Sequence, residues 1–464
     1  MAKAKNIGQL RESGFSPESV KEEMRRNLIR KIEKKQEILP GIIGFQDSVI
    51  PQLENAVLSG QDVIFLGERG QAKSRIIRSL IGLLDETIPV IASCEINDHP
   101  FQPICKSCRD RVKEEGDNVE IAWQPREERY GEKLATPDST IADLIGEVDP
   151  IKVAEGRYLS DELTIHYGLI PRTNRGIFCI NELPDLAERI QVGLLNIMEE
   201  RDVQIRGYRI RLPLDVLLVA SANPEDYTNR GRIITPLRDR YGAQIRTHYP
   251  RRADDELDIV EQEYTRFEDE DRNVTVPQYM KEIVVEITRL ARRSPDVNQR
   301  SGVSVRASIA DYESMLANAL RRSIRAGDKD VVPRISDLPF ILPTISGKVE
   351  FDTVEDDKEE QIIEKLIQSA LLAVFNRNFN VIDLEEIVTQ FKSGISVEVS
   401  DAMPSKQYVK IVKQVEGMDR AVAKLEPGEN IAVIAAAVEF VLEGLHLNKR
   451  LNKDKVGGRT QYRG

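Results

Sequence analysis

The residues Gly67–Ser74 read Gly-Glu-Arg-Gly-Gln-Ala-Lys-Ser, a spacing that can hold the phosphates of a nucleotide. In such a loop the backbone N–H groups point at the β- and γ-phosphates, a lysine adds positive charge and a serine hydroxyl ligates Mg²⁺. Ala72 stands where a second glycine is usual, but its methyl group leaves the backbone N–H available. The alternative is an ordinary strand–turn–helix with a surface lysine. The predicted ATP-binding residues are Gly67, Glu68, Arg69, Gly70, Gln71, Ala72, Lys73 and Ser74, with Ser74 also a ligand of Mg²⁺.

Polar side chains end two later apolar runs and could carry ATP hydrolysis. Ile177–Ile180 is followed by Asn181 and Glu182. Leu217–Ala220 leads shortly to Asn223. An NTPase needs a carboxylate near Mg²⁺ and a group that polarises the attacking water. We predict that Glu182 polarises the water and that Asn223 orients it. Asn181 stands at the metal-supporting position but brings no charge, which bears on the hydrolysis rate more than on ATP binding.

Arginines follow these strands in an order that also suits hydrolysis. The segment Pro236–Gly242 contains Arg238 and Arg240, and an arginine there can reach the γ-phosphate of a neighbouring subunit. Arg306 begins a helix-like segment and could contact the γ-phosphate from a lid. For each arginine alone the alternative is a solvated surface charge. The order of the pieces along the chain favours the functional interpretation.

These side chains require a parallel sheet to bring them together. Residues 41–250 alternate helical stretches with short apolar runs, which predicts a largely parallel α/β sheet flanked by helices. The segment Val203–Leu212 alternates apolar and polar residues and predicts a β-hairpin. The predicted strands are Val63–Leu66, Val90–Ala92, Ile177–Ile180 and Leu217–Ala220.

The chain of 464 residues is long enough for several domains. The last residues, Lys449–Gly464, are basic and rich in glycine, which predicts a flexible, disordered tail. The predicted divisions are a helical segment at 1–40, an α/β nucleotide-binding domain at 41–250 with an insertion at about 93–175, a helical lid at 251–345 and a mostly helical region at 346–464.

Composition excludes several other classes of protein. Apolar residues make up 41% and charged residues 31% of the chain, with a net charge of −11, so we expect neither membrane insertion nor general binding to nucleic acid. The most apolar run, Ile431–Leu445, contains Glu439 and Glu443 and is interpreted as an amphipathic helix. The N-terminus has no signal-peptide pattern, and four cysteines do not make a disulfide scaffold. A cytoplasmic location is expected.

In three stretches the chain resembles the AAA+ ATPases of the magnesium-chelatase small-subunit and MoxR group. The stretches are Gly67–Ser74, Gly168–Leu183 and Ala220–Gly242, and the resemblance covers about residues 41–345. It implies a hexameric ring with ATP at the subunit interfaces. It further implies a helix-2 insertion at Ala135–Pro171 and a hairpin before the sensor 1 strand at Val203–Leu212.

The chain departs from the family pattern at Ala72 and Asn181. Elsewhere the same resemblance assigns roles to single residues. The implied roles are sensor 1 at Asn223, the arginine finger at Arg240 with Arg238 as the alternative, sensor 2 at Arg306, and contacts near the adenine at Ile43 and Gly44.

A possible metal site lies in the insertion. Cys94, His99, Cys105 and Cys108 are close in sequence, and thiolate and imidazole ligands at such spacing are typical of structural Zn²⁺. The alternative is an accidental Cys-x-x-Cys with Cys94 simply buried at a strand end. The remaining cysteine, Cys179, alternates with apolar neighbours and is predicted to lie in the core.

The preferred function is a ring ATPase that remodels a partner protein, and the resemblance implies a partner with a von Willebrand A domain. One alternative is the motor subunit of a tetrapyrrole metal chelatase. Another is a nucleotide-binding assembly switch with little hydrolysis, which the uncharged Asn181 keeps open. A DNA-dependent ATPase or transcription activator is disfavoured, because the insertion has no Gly-Ala-Phe-Thr-Gly-Ala loop and no helix-turn-helix segment is visible.

Overall fold

A computed structural model of the chain describes residues 3–149, 162–199, 203–205, 208–210, 212–223, 231–267, 272–299, 301–352, 356–426, 428–456 and 459–464. The chain divides into two units, Met1–His248 and Tyr249–Gly464, which are taken in turn.

The first unit is built on a parallel sheet of five strands, which confirms the predicted α/β fold. Their order across the sheet is β11 (Ala243–Arg246), β1 (Val63–Leu66), β10 (Val216–Ala222), β7 (Gly176–Asn181) and β4 (Tyr130–Leu134). Leu66 at the end of β1 lies beside Ala222 at the end of β10, so the carboxyl ends of neighbouring strands meet at one edge. The strands of this unit are β1 (Val63–Leu66), β2 (Thr87–Ile91), β3 (Ile121–Pro125), β4 (Tyr130–Leu134), β5 (Gly146–Val148), β6 (Ile165–Tyr167), β7 (Gly176–Asn181), β8 (Val203–Ile205), β9 (Tyr208–Ile210), β10 (Val216–Ala222) and β11 (Ala243–Arg246).

Helices cover both faces of this sheet because its inner strands are apolar on both sides. Ile64 and Phe178 point into one core, while Phe65 and Cys179 point into the other, as predicted for Cys179. The α-helices in the described part of this unit are Ile7–Glu12, Val20–Glu33, Val49–Leu58, Lys73–Ser79, Lys106–Glu115, Ile141–Leu144, Leu169–Arg172, Glu188–Glu199 and Thr235–Arg240.

One predicted strand of the sheet is wrong. The run Val90–Ala92 falls at β2, which pairs antiparallel with β3 outside the parallel sheet. Two strands of the sheet were not predicted: β11 at one edge and, at the other edge, β4, from within the segment predicted as an insertion. The residues of β4 are half-buried or exposed because it lies at the edge, so it lacks the apolar signature of a central strand.

The hairpin predicted at 203–212 is confirmed where the structure describes it, since β8 pairs antiparallel with β9; residues 206, 207 and 211 lie outside the described part. Within the segment Ala135–Pro171, β5 and β6 form a second antiparallel pair. Residues 150–161 of that segment also lie outside the described part.

The N-terminal helix Val20–Glu33 is anchored to the sheet by a buried ion pair. The two carboxylate oxygens of Glu23 accept hydrogen bonds from Arg129 at 2.8 and 2.6 Å. Arg129 also donates to the backbone oxygen of Arg175 at 2.8 Å, just before β7. This network ties the N-terminal helix to the start of two strands that carry the site.

The second unit is helical around one hydrophobic core, as predicted for its fold class. That core is continuous across residue 345, with Ile283 and Val374 both in it. Its α-helices are Ala253–Glu263, Gln278–Ala291, Val305–Ala326, Leu342–Ser346, Asp356–Asn378, Glu385–Lys392, Ser405–Gln414, Met418–Ala423 and Ile431–Leu447. Short 3-10 turns occur in both units at Leu80–Leu83, Gly116–Asn118, Arg126–Arg129, Glu162–Thr164, Leu183–Asp185, Ile335–Ile341 and Val381–Leu384.

The helix Ile431–Leu447 is buried on nearly all sides, so the amphipathic interpretation is wrong. Glu439 is 3% exposed and accepts a hydrogen bond from the Tyr408 hydroxyl. Glu443 is 5% exposed and pairs with Lys453 at 2.8 Å. Hydrogen bonds and an ion pair from protein side chains therefore satisfy both carboxylates. Within the described residues, no helix has the combined length and apolar character needed to cross a membrane.

The predicted disorder of Lys449–Gly464 is also wrong for the residues that the structure describes. They form β15 (Asn452–Val456) and β16 (Arg459–Arg463), and β16 pairs on its other side with β14 (Val397–Val399). Tyr462 is 3% exposed. The segment is ordered because its two strands pair with each other and with β14, and because Tyr462 packs into the core of the unit and donates a hydrogen bond to Glu443. A further parallel pair joins β12 (Asn273–Val274) and β13 (Asp330–Val331).

Candidate nucleotide-binding site

The loop Gly67–Ser74 leaves the end of β1 and enters the helix Lys73–Ser79, as predicted. At Gly67 a Cβ would lie 1.9 Å from Oγ1 of Thr247 and 2.3 Å from Oε1 of Gln71, so only glycine fits. The Gly67 N–H donates to the backbone oxygen of Ala222 at 3.2 Å. The start of the loop is therefore fixed against both neighbouring strands.

Gln71 holds the loop in its folded shape from inside. Its Oε1 accepts the backbone N–H of Glu68 at 3.1 Å and the Thr247 hydroxyl at 2.8 Å. The Gln71 side chain is 6% exposed, so its contribution is to the folded shape of the loop.

Ala72 adopts a left-handed conformation, with φ 56° and ψ 15°, at the start of the helix. This conformation costs a residue with a side chain about 1–2 kcal/mol, whereas glycine adopts it freely. The departure from the sequence pattern is thus tolerated at the price of local backbone strain.

Lys73 is 7% exposed and lies at the centre of the loop. Its ammonium group donates to the backbone oxygens of Gly67 and Glu68, the latter at 2.8 Å, and to Oδ1 of Asn223. The structure therefore brings the predicted phosphate-binding lysine and the predicted sensor residue into direct contact.

Ser74 and Asn181 also lie together. Nδ2 of Asn181 donates to Oγ of Ser74 at 3.2 Å, and the Ser221 hydroxyl donates to Oδ1 of Asn181 at 2.5 Å. The two residues predicted to support Mg²⁺ thus face each other across the edge of the sheet.

Glu132, in β4, was not predicted as a site residue. Its Oε1 accepts a hydrogen bond from Nδ2 of Asn181 at 3.1 Å, and its carboxylate pairs with Arg78 at 2.9 Å. Burial by itself raises the pKa of Glu132, but hydrogen bonds from Arg78 and Tyr130 outweigh it and hold the pKa below its ordinary value. A negative charge therefore lies beside the uncharged Asn181. Only the pairing of β4 with β7 reveals it, because Glu132 belongs to no motif.

Glu182 and Asn223, the two residues predicted to act on water, are hydrogen-bonded. Nδ2 of Asn223 donates to Oε2 of Glu182 at 2.7 Å. Glu182 has a left-handed backbone with φ 56°, and its N–H donates to the Ser221 hydroxyl at 3.1 Å. Strained backbone of this kind is common at functional sites because surrounding contacts maintain it.

Arg240, at the end of the helix Thr235–Arg240, pairs with Glu199 at 2.7 Å in the same chain. Arg238 is exposed on the same helix. Arg306 is exposed near the start of the helix Val305–Ala326, in the second unit. The roles of these three arginines remain predictions.

Ile43 and Gly44 lie in the first unit between the helices Val20–Glu33 and Val49–Leu58. Both are half-buried, and Gly44 has φ 82°, a conformation that favours glycine. Their contact with adenine remains a prediction.

A second group of side chains forms the predicted cysteine cluster, with one correction. One ligand atom from each of Cys94, Asp98, Cys105 and Cys108 lies within 4.8 Å of every other. His99 is not part of the group: its Nδ1 accepts the backbone N–H of Phe101 at 3.0 Å instead.

The titration of this cluster reflects its burial and its internal hydrogen bonds. Hydrogen bonds from the thiols of Cys105 and Cys108 hold the pKa of the Cys94 thiol well below its usual range. Burial, reinforced by the negative Cys94 sulfur, raises the pKa of Asp98 to about 6.

Comparison with known proteins points in the same direction as the motifs, although no family model matches the chain. A magnesium-chelatase subunit ChlI from Nostoc sp. is 31% identical over 228 residues, covering 48% of this chain and 57% of that protein. The chloroplastic subunit ChlI-2 of Arabidopsis thaliana is 29% identical over 262 residues, covering 52% and 56%. The chain therefore spans a little over half the length of the curated relatives that it matches.

Among solved structures, a chain from a complex between subunits BchI and BchD of magnesium chelatase matches with a TM-score of 0.37 and 21% identity. The match covers 69% of this chain and 97% of that chain.

Proposed function

We propose that this chain is an AAA+ ATPase of the magnesium-chelatase small-subunit and MoxR group, which binds ATP at Gly67–Ser74 and couples its hydrolysis to the remodelling of a partner protein. The proposal is carried by one chain of hydrogen bonds, from Lys73 to Asn223 and from Asn223 to Glu182. It connects the phosphate-binding lysine with both residues that would act on the attacking water.

Within this arrangement each side chain has a distinct task. Glu182 accepts the proton of the attacking water, and Asn223 holds the Glu182 carboxylate in place and orients the water. Lys73 pairs with the β- and γ-phosphates. The backbone N–H groups that follow Gly70 bind phosphate oxygens.

Ser74, Asn181 and Glu132 would hold Mg²⁺. Their hydroxyl, amide and carboxylate oxygens fit the oxygen coordination that Mg²⁺ prefers. The ion, when bound, neutralises charge on the phosphates. Glu132 supplies the negative charge that Asn181 lacks, either directly or through a bound water.

The assembly and partner follow from the resemblance to the family. We propose a hexameric ring in the cytoplasm, with Arg240, or alternatively Arg238, reaching the γ-phosphate bound by the neighbouring subunit. Arg306 would contact the γ-phosphate from the lid side, and Ile43 and Gly44 would pack near the adenine. The partner would be a protein with a von Willebrand A domain, and neither membrane nor nucleic acid is required.

Two other functions have a specific observation in their favour. The similarity to ChlI subunits favours the motor subunit of a tetrapyrrole metal chelatase. The uncharged Asn181 favours a nucleotide-binding assembly switch with little hydrolysis. The negative charge of Glu132 beside Asn181 weighs against the switch.

The proposal is tested by measuring the ATP affinity of the variant Lys73→Ala. We expect calorimetry to show that binding is lost while the circular dichroism and melting temperature of the chain stay close to those of the wild type. Lys34→Ala, at an exposed lysine in the same unit, is the matched control and should bind ATP normally. Unchanged ATP affinity in Lys73→Ala would reject the site.

The partner is sought separately with Glu182→Gln, which should retain bound ATP and therefore a stable complex. A captured protein with a von Willebrand A domain supports the remodelling ATPase. Capture of tetrapyrrole-chelatase subunits supports the motor subunit instead. Wild-type ATP turnover no faster than that of Glu182→Gln would support the switch.

A further inference from the structure

The cysteine cluster brings together residues from three local elements of the first unit. Cys94 follows β2, Asp98 lies in the next turn, and Cys105 and Cys108 begin the helix Lys106–Glu115. Asp98, Cys105 and Cys108 are buried, and Cys94 is half-buried. All four cysteines of the chain are free thiols, so no disulfide explains the convergence of these three.

The spacing of the four ligand atoms suits a single metal ion. Zinc bonds to sulfur at about 2.3 Å and to oxygen at about 2.0–2.2 Å, which places tetrahedral ligand atoms roughly 3.5–3.8 Å apart. The atoms of this cluster lie within 4.8 Å of one another, so a small contraction closes the site. An iron–sulfur cube holds its thiolates farther apart, because four irons and four sulfides lie between them.

Asp98 gives independent evidence of a missing ligand. Its side chain is fully buried, and its Oδ1 has no hydrogen-bond partner among the described residues. The other oxygen, Oδ2, accepts the backbone N–H of Cys105 at 3.0 Å. A buried carboxylate oxygen without a partner is rare in folded proteins and calls for a bound ion or other partner.

Backbone donors already point at the sulfur atoms. The N–H of Asp98 donates to Sγ of Cys94 at 3.3 Å, and the N–H of Cys108 donates to Sγ of Cys105 at 3.3 Å. Such bonds stabilise the thiolate form, which is the form that binds metal. Two of the three sulfur atoms thus already accept a backbone hydrogen bond.

We propose that Cys94, Asp98, Cys105 and Cys108 bind one structural zinc ion. The three thiols lose their protons on binding, and Asp98 binds as a carboxylate, so four ligands close the site to other molecules. This site is independent of nucleotide binding.

The ion would stabilise the approach to the strand that carries Asn181. Nδ2 of Asn97 donates to the backbone oxygen of Arg172 at 2.8 Å, and Nδ2 of Asn174 donates to that of Ile96 at 3.1 Å. The metal-binding turn is therefore clamped to the segment that leads into β7. Zinc would fix this turn to the start of the helix Lys106–Glu115.

Metal content of the full chain, purified without added metal or chelator, tests the proposal. We expect about one zinc per chain by elemental analysis, against none in Cys108→Ser and much less in Asp98→Asn. His99→Ala is the matched control, because His99 is adjacent and buried but is not a ligand, and it should retain the zinc. Cobalt substitution should give the intense absorption of a tetrahedral thiolate site.

Several results would overturn the proposal. One is wild-type protein that contains well under one zinc per chain and has all its thiols freely titratable. Another is iron bound in place of zinc, and a third is zinc retained in both Cys108→Ser and Asp98→Asn. Loss of zinc in His99→Ala with retention in Asp98→Asn would reject the ligand set. Because the wild-type measurement needs no substitution, the proposal stays falsifiable even if a variant fails to fold.

Discussion

The side-chain nitrogen of Asn223 donates a hydrogen bond to Oε2 of Glu182 at 2.7 Å. The side-chain oxygen of the same residue accepts from Lys73, so the two ends of one amide join the phosphate-binding loop to the predicted catalytic carboxylate. An amide is required because one end must donate and the other accept. Asn223 therefore positions Glu182 as well as contacting Lys73.

Asn223→Asp should test this double role. The new carboxylate would repel Glu182 while still accepting from Lys73, so we expect ATP to bind and turnover to fall on the order of 10²-fold or more. Calorimetry and phosphate release measure the two effects. Asn223→Ala should also lose turnover, although without the charge repulsion. Wild-type turnover in both variants would contradict the role of Asn223.

Glu132 should set the Mg²⁺ requirement. Glu132→Gln removes the negative charge beside Asn181 but keeps a side chain that Arg78 can reach, so the Mg²⁺ concentration for half-maximal ATP hydrolysis should rise roughly tenfold. Adding Asn181→Asp to Glu132→Gln should bring that concentration back towards the wild-type value. Glu127→Gln, at an exposed residue shortly before β4, is the control. An unchanged Mg²⁺ requirement in Glu132→Gln would show that Glu132 does not support the ion.

Hydrolysis should be a property of subunit interfaces. Arg240→Ala and Glu182→Gln should each keep ATP binding and lose turnover, since an arginine finger contributes on the order of 10³–10⁵ in rate. Mixing the two variants should restore some activity, because some interfaces then contain both intact residues. Arg238→Ala distinguishes the two candidate arginines.

The ion pair between Arg240 and Glu199 adds a control to that experiment. If Arg240 must leave Glu199 to reach the neighbouring subunit, Glu199→Gln should not lower turnover. An inactive mixture, although native mass spectrometry shows mixed oligomers, would refute the trans-acting role.

Asp311 should make the stability of the second unit depend on pH. Burial raises the pKa of Asp311 to about 7. The hydrogen bond that its Oδ1 accepts from Thr344 at 2.6 Å and the positive charge of Lys348 lower the pKa, but they only partly offset the effect of burial. Because the folded state holds the proton more tightly than the unfolded state, this carboxyl loses stabilising effect as pH rises from about 4 to 7.

Asp311→Asn should therefore increase the free energy of unfolding at pH 8 by on the order of 1–4 kcal/mol, with much less effect at pH 4.5. Denaturation in urea at both pH values measures this difference. Asp352→Asn, at an exposed residue of the same unit, should change neither value appreciably. An equal effect of Asp311→Asn at both pH values would mean that Asp311 does not titrate in this range.

The central strands were predictable because they are buried on both faces, so each of them is a run of apolar residues. The phosphate loop and the other functional residues directly follow these runs. The edge strand β4 was not predictable, because half-exposed residues such as Tyr130 and Lys133 carry no apolar pattern. Because β4 was not predicted, Glu132 was not predicted as a site residue either. Its place beside Asn181 depends on strand pairing between residues far apart in sequence.

The metal cluster shows the same limit at shorter range. Spacing identified the three cysteines, but the fourth residue depends on how the chain turns after Cys94. Asn97 has a left-handed backbone, with φ 54°, which turns Asp98 inward. Histidine is the usual partner of cysteine in zinc sites, so the sequence alone predicts His99 as the fourth ligand.

The pairing of Val397 with Tyr462 has a consequence for how the second unit is made on the ribosome. The buried helix Ile431–Leu447 keeps Glu443 inside through Lys453 and Tyr462, both of which are synthesised after it. Until Lys453 and Tyr462 emerge from the ribosome, one side of this most apolar helix is uncovered and the Glu443 carboxylate lacks these two partners. Non-local strand closure of this kind is slow. We therefore expect nascent chains that stop before residue 459 to be held by chaperones or degraded, rather than released as folded protein with a shorter tail.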